Sequence, residues 1–267
     1  MSAGGAGTAP GPAAESLDER VRSYWNERIH DLEMTTAPAG SAEFFRELDA
    51  YRFEKLDYLP RLVNFDGYAG RRVLEIGCGV GTDLARFARG GARVSGVDLS
   101  ETAVDLARRN LAHLGLAGDL RVADGTKLPW PDGSFDLVYC HGVLQYAADP
   151  RGIVREAHRV LAPEGEAIFM VYNRRSWLAW MSRWLGVGLE HGDAPGLRLY
   201  SSSEADELLG VFPRRRLVPE RFPVHSRLHH GAKGMLYNLL FVPVFRVLPR
   251  AWVRPLGWHL MAFCRKQ

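Results

Sequence analysis

The spacing of apolar residues changes at Arg71. Upstream, Phe44, Phe45, Leu48, Tyr51 and Leu56 lie near one helical stripe and predict a helix over 41–58. Ser16 and Glu19 fit a reciprocal N-terminal cap, which predicts an earlier helix over 16–30. Downstream, short apolar runs at 72–76, 93–98, 120–123, 135–140 and 166–172 read as strands. Helical segments at 83–89, 102–114 and 152–161 fit between most of them. Such alternation implies right-handed crossovers and a parallel sheet covered on both faces, an α/β fold. Beyond Asn173 the pattern loosens. Residues 174–185 and 203–210 read as helices, and 214–222 and 258–265 as strands. Residues 225–256, rich in Pro, Gly and aromatics, form a long insertion between those two strands.

Composition narrows this further. The chain has 267 residues, 46% of them hydrophobic and 24% charged, which excludes a disordered or fibrous protein. Cys78, Cys140 and Cys264 are an odd count without close spacing, so neither a disulfide framework nor a paired-cysteine zinc site is expected. A reducing, cytoplasmic location fits. The net charge of +3 conceals an asymmetry: no Asp or Glu follows Glu220, so the stretch after it carries +8 and residues 1–220 carry −5. That split suggests either an anionic partner for the C-terminal part or a solvated basic face. The apolar run over 235–245 is too short to span a bilayer, so no transmembrane segment is expected. Residues 1–15 lack the basic and apolar regions of a secretory signal and read as a flexible tail.

The strongest local signal is Val73-Leu74-Glu75-Ile76-Gly77-Cys78-Gly79-Val80-Gly81-Thr82-Asp83. An apolar strand runs into three alternating glycines and then a helix. Glycines let a backbone turn sharply and approach a ligand, and a helix start offers free N–H groups. Asp98 ends the next strand, where open sheets place an acid against ribose hydroxyls. A dinucleotide site would need G-x-G-x-x-G; here Gly81 comes one place early.

These residues resemble the class I S-adenosylmethionine-dependent methyltransferases, in particular the small-molecule group called type 11. The likeness covers residues 70–172 through LEIGCGVGTD at 74–83, VSGVDLS at 94–100, VADGTKLPWPDGSFDLVYCHGVLQY at 122–146 and REAHRVLAPEGEAIF at 155–169. It implies a Rossmann-like, doubly wound, seven-stranded, mostly parallel sheet whose last strand is antiparallel. A helical cap over 16–69 would precede this core, and 173–267 would complete the sheet and carry substrate-lid insertions. The implied cofactor is S-adenosyl-L-methionine, with S-adenosyl-L-homocysteine as product. The resemblance also implies roles for individual residues. Gly77 and Gly79 would pack under the methionine part, with Cys78 among the cofactor contacts, and Glu75 would orient its amino group. Asp98 would take the ribose hydroxyls, Leu99 the adenine face, and Asp124 with Gly125 the adenine amino group. Cys140 and His141 would meet the methionine end. Outside this pattern Asp98 and Asp124 would read as turn residues.

Methyl transfer from a sulfonium leaves a neutral thioether, so a base is needed only for a protonated acceptor. His141, at the carboxyl end of the fourth strand, is the best-placed base, with Tyr24 and Tyr146 as donors or positioners. His225, His229 and His230 are further candidates, and no metal site is expected. Trp25, Arg174, Arg175, Trp177, His225 and His229 are the expected acceptor contacts. Residues 174–185 and 225–256 are expected to form a lid. The expected acceptor is a small or peptide-like metabolite methylated at a carboxylate or phenolic oxygen by a monomer or homodimer. Alternatives are a nitrogen, sulfur or carbon acceptor, RNA, or a cofactor-binding module on a membrane surface. A nucleic-acid partner is not expected, because no Asn-Pro-Pro-Tyr-type motif follows the fourth strand; His141-Gly142-Val143-Leu144 stands there.

Overall fold

A computed structural model describes residues 15–28, 32–224, 235 and 237–267. Residues 1–14 of the expected tail, and 225–234 with His225, His229 and His230, lie outside them.

Helix α1, Leu17–Glu27, starts at Ser16, whose hydroxyl accepts from the Glu19 N–H while the Glu19 side chain accepts from the Ser16 N–H. The reciprocal cap satisfies two amide groups that a helix start leaves open. Helix α2, Ala42–Lys55, buries Phe44, Phe45 and Leu48, and a short α3, Leu59–Leu62, follows. The sheet then begins. Strand β1 is Arg72–Ile76, β2 Arg93–Asp98, β3 Gly118–Val122, β4 Phe135–His141, β5 Leu161–Tyr172, β6 Arg214–Glu220 and β7 His259–Arg265. Between them stand α4 (Thr82–Arg89), α5 (Glu101–His113), α6 (Pro150–Val160), α7 (Trp177–Leu185) and α8 (Ser202–Leu208). A π-helical turn at Tyr237–Phe241 leads into α9 (Val242–Val247) and α10 (Arg250–Val253).

The strand order is β3-β2-β1-β4-β5-β7-β6. All pairs among the first five are parallel, and β7 runs antiparallel to both β5 and β6. This is the doubly wound sheet with an antiparallel last strand. Alternate residues feed two cores. Val73, Leu137, Tyr139 and Ile168 pack on one face; Leu74, Val138, Cys140 and Phe169 pack on the other. Both faces are covered, so the central strands read as unbroken apolar runs.

Most element boundaries shift by a few residues from the sequence reading, and two of the shifts have a clear cause. Strand β5 begins at Leu161 instead of residue 166, because Leu161 already pairs with Phe135 across Pro163-Glu164-Gly165. Helix α2 stops at Lys55, and Tyr58 turns into α3 instead of ending one long helix.

The chain runs outward from β1 to β3 and returns to β4 beside β1. That reversal opens a crevice at the carboxyl ends of β1 and β4. The glycine loop leaves β1 there, and His141 ends β4 there.

Candidate functional site

A cavity of about 230 Å³ occupies this crevice. Its near side is the glycine loop. The Gly77 and Cys78 amides both donate to the Val97 carbonyl, at 2.7 and 3.0 Å, which ties the loop to β2. Gly77 has φ +72°, and a Cβ there would sit 2.2 Å from Val143 Cγ2. Gly79 differs: a Cβ would meet nothing within 4 Å and would project into open space. Glycine at both positions keeps the backbone turn possible and the floor clear.

Two carboxylates face this floor. Asp98 accepts the Gly79 amide at 2.9 Å and the Ser100 amide at 2.9 Å. Burial lifts its carboxyl above the usual range, against the pull of those amides. Each oxygen keeps a further lone pair for a ligand. Glu75 is buried, and its Oε2 has no hydrogen-bond partner. Burial, and then repulsion from Asp83, push its carboxyl well above the ordinary value. An orphaned buried acceptor fits a missing cationic donor. Leu99, Ala103, Ala123 and Gly125 line the same cavity and provide apolar surface. These residues therefore suit a ligand with an ammonium group, a diol and a flat apolar ring, as S-adenosyl-L-methionine has.

The inner side is a chain of buried polar groups. Arg52 from α2 grips Asp83 of α4 with two parallel bonds, Nε to Oδ1 at 2.7 Å and Nη2 to Oδ2 at 2.5 Å. Tyr139 donates to the same carboxylate at 2.9 Å. Burial opposes the Asp83 charge, but Arg52 outweighs it and holds the carboxyl below its usual value. Arg52 Nη2 also lies 3.4 Å from His141 Nδ1. His141 Nε2 lies 3.1 Å from Tyr58 Oη, which is 2.6 Å from His259 Nδ1. His259 Nε2 meets Arg221 Nη1 at 2.9 Å. Arg221 in turn pairs with Glu190, which also binds Lys55 at 2.9 Å.

The donors assign the tautomers. An arginine only donates, so the tautomers that satisfy this chain leave His141 Nδ1 and His259 Nε2 as acceptors. In those tautomers the other nitrogen of each ring carries the proton and points it at Tyr58 Oη. Tyr58 accepts twice and turns its own proton to Met261 Sδ, 3.8 Å away. Burial, joined by Arg221, holds His259 far below the ordinary imidazole range and keeps it neutral. Two residues of this wall are strained. His191 (φ 46°) and Arg221 (φ 62°) are non-glycine residues in the left-handed region, a conformation that clusters at functional sites.

Among the expected site residues, Glu75, Gly77, Cys78, Gly79, Asp98, Leu99, Gly125, His141, Trp25 and Tyr146 line the cavity. Trp25 reaches it because Ser100 Oγ donates to Asn26 Oδ1 at 2.8 Å, fastening α1 to the start of α5. Tyr146 is buried with its hydroxyl 3.4 Å from Tyr172, and burial keeps it a neutral phenol. Others stand elsewhere. Tyr24 points to Asp193 at 3.0 Å, beside Arg28. Asp124 accepts the Thr126 amide at 2.8 Å and shapes a turn next to Gly125. Cys140 is fully buried in the core on the other face of the sheet, because its neighbour His141 takes the cavity side of an alternating strand. Arg174 pairs with Glu204 at 3.0 Å on the surface, and Arg175 is exposed. Trp177 donates to the Arg221 carbonyl at 3.1 Å and packs on Phe241 outside the cavity. No residue of α7 lines the cavity, so 174–185 is not its lid.

Arg52, Tyr58, Glu190, Arg221 and His259 carry no local motif, and sequence reading does not single them out. One signal existed: His259 is a lone polar residue in the apolar run Trp258-His259-Leu260-Met261.

Comparisons with known proteins identify the family. A family profile described as "Methyltransferase domain" matches residues 74–169. A "Ubiquinone biosynthesis O-methyltransferase" of Idiomarina loihiensis is 37% identical over 116 residues, 42% of this chain and 48% of that protein. The match thus spans about half the length of the first of these curated relatives. Another protein so named, from Bordetella avium, is 31% identical over 205 residues, 73% of this chain and 76% of that protein. Among solved structures, geranyl diphosphate C-methyltransferase from Streptomyces coelicolor A3(2) superposes with a TM-score of 0.59 over 94% of this chain and 98% of that one. At 20% identity that likeness concerns the fold.

Proposed function

Because the chain belongs to the class I S-adenosylmethionine-dependent methyltransferases, we propose that it methylates an oxygen of a small metabolite, at a phenolic hydroxyl or a carboxylate. The observation that carries this reading is the buried Arg52–His141–Tyr58–His259–Arg221 chain facing the glycine loop across one cavity.

S-adenosyl-L-methionine supplies an electrophilic methyl group on a sulfonium whose departure leaves a neutral thioether. Glu75 receives the ammonium group, Asp98 the ribose hydroxyls, and the open space above Gly79 the methionine part. On the inner side Arg52 lies beside His141. A guanidinium at that point favours an acceptor with developing negative charge on oxygen. The 3.4 Å contact between Arg52 and His141 is long for a hydrogen bond. An acceptor hydroxyl seated there passes its proton to His141 Nδ1, and the Arg52 guanidinium stabilises the oxyanion that attacks the methyl group. A carboxylate acceptor needs the guanidinium only. The names of the curated relatives support oxygen as the acceptor atom.

The test is turnover of radiolabelled S-adenosyl-L-methionine against matched phenols, carboxylic acids, anilines and thiols. Methyl ethers or esters are expected, and His141→Gln should suppress transfer to phenols far more than to carboxylates. Transfer only to amines or thiols would overturn the acceptor assignment. Failure to bind S-adenosyl-L-homocysteine by calorimetry would overturn the cofactor site itself.

A further inference from the structure

The outer face of the C-terminal helices takes no part in the cavity. Helix α7 turns Trp177 and Leu178 toward the protein but leaves Trp180, Trp184 and Leu185 exposed, Trp184 to 65%. Trp180 and Trp184 are four residues apart and so share one side of α7. Next to it, Phe222, Phe245 and Val253 form a small satellite core with Trp177 and Phe241 packed against it. The ring of Trp177 lies 5.8 Å from Phe241 and 6.4 Å from Phe245, which joins α7 and α9 into one module. The outside of that module exposes Met235, Leu239, Val244, Val247 and Trp252, the last two to 83% and 73%.

Residues 174–189 contain three arginines and no acid, and residues 221–267 contain eight lysines or arginines and no acid. Of these, Arg174, Arg221, Arg250 and Arg265 pair with Glu204, Glu190, Glu220 and Glu164 of other segments. Arg183, Arg250 and Arg254 are exposed among the apolar side chains.

We propose that this face docks onto the surface of an anionic lipid bilayer. Single exposed apolar residues are ordinary, but a set of this size on one module marks an interaction site. A protein partner presents both charge signs, whereas segments that supply arginines and no acid, with Arg183 and Arg254 exposed among the apolar side chains, complement a uniformly negative headgroup layer. Indole rings favour the boundary between headgroups and acyl chains. Among the described residues no helix is long and apolar enough to cross a membrane. Helix α7 has nine residues, about 14 Å of rise against about 30 Å of hydrocarbon, so the module lies in the interface. The inference is independent of the acceptor's identity and of methyl transfer.

The experiment is co-sedimentation of the whole chain with sucrose-loaded vesicles. One set is phosphatidylcholine alone; the other contains roughly a third phosphatidylglycerol. Binding to the anionic set is expected to exceed binding to the neutral set by about tenfold and to weaken as salt rises. Trp184→Ala with Trp252→Ala should lose about tenfold on anionic vesicles while unfolding at the wild-type temperature. Arg183→Glu with Arg254→Glu should lose binding to the anionic set selectively. Wild-type protein that sediments with neither set, or equally with both, overturns the proposal, as does a tryptophan pair variant that binds normally. Self-association abolished by the tryptophan substitutions, without vesicle binding, would make the face a contact between two copies and also overturn it.

Discussion

At the scale of single residues, the site depends on where a few protons are held. Tyr58 Oη receives two imidazole N–H groups in a buried place. In Tyr58→Phe both donors would face a ring edge, and each unsatisfied buried donor costs about 1–3 kcal/mol. We expect stability in urea to fall by that order while S-adenosyl-L-homocysteine affinity stays within about twofold, since Tyr58 does not line the cavity. An unchanged urea midpoint would show that the imidazoles turn to other partners. Arg52 is more exacting, because it leaves Asp83 as a buried anion when removed; the Asp83 side chain is 1% exposed. Arg52→Ala should destabilise by about 3–5 kcal/mol, the usual cost of stranding one partner of a buried pair. Arg52→Ala with Asp83→Ala should recover part of that loss, which equilibrium unfolding of the four proteins would reveal.

At the scale of elements, the β1–α4 turn separates two uses of glycine. Gly77→Ala places a methyl group 2.2 Å from Val143 Cγ2 at φ +72°. It should lower stability and ligand binding together, because the loop has to shift. Gly79→Ala meets nothing and carries only the left-handed backbone penalty, about 1–2 kcal/mol. Its methyl group enters the space assigned to the cofactor, so it should lose S-adenosyl-L-homocysteine binding by tenfold or more with a small thermal shift. Calorimetry paired with thermal melts separates the two, and equal binding losses at equal stability would argue against the cradle.

At the scale of the whole molecule, a neutral buried imidazole links folding to pH. The folded His259 ring titrates far below its unfolded value of about 6.5. Between those values the unfolded chain binds more protons, so stability is full above about pH 6.5 and falls as pH drops, by up to about 1.4 kcal/mol per pH unit. His158, depressed by burial and Lys266, adds to that slope. Glu75 and Asp98 act oppositely, since their raised values favour the folded state in acid. Comparing wild type with His259→Gln by urea unfolding between pH 7 and 5 removes the shared contributions. The variant should show the shallower acid loss, and parallel curves would mean that His259 is not held neutral.

Much of this protein is decided locally. The reciprocal cap at Ser16 and Glu19, the apolar run of β1 and the glycine turn at 77–81 each depend on neighbours within a few positions. Capping, pleat alternation and left-handed turns act at that range, so the order of elements, the cofactor loop and Asp98 are legible in the chain itself. The acceptor wall is different. Arg52, His141, Glu190, Arg221 and His259, with Tyr58 behind them, come from six places in the sequence, and Tyr58 and His259 stand 201 residues apart. What joins them is the antiparallel return of β7 beside β5, which carries His259 opposite Tyr172 at the carboxyl edge of the sheet. The same long-range packing turns α7 away from the cavity and presents its tryptophans outward. No residue's own propensity encodes such neighbours; they exist only once both faces of the sheet are covered and the chain has closed on itself.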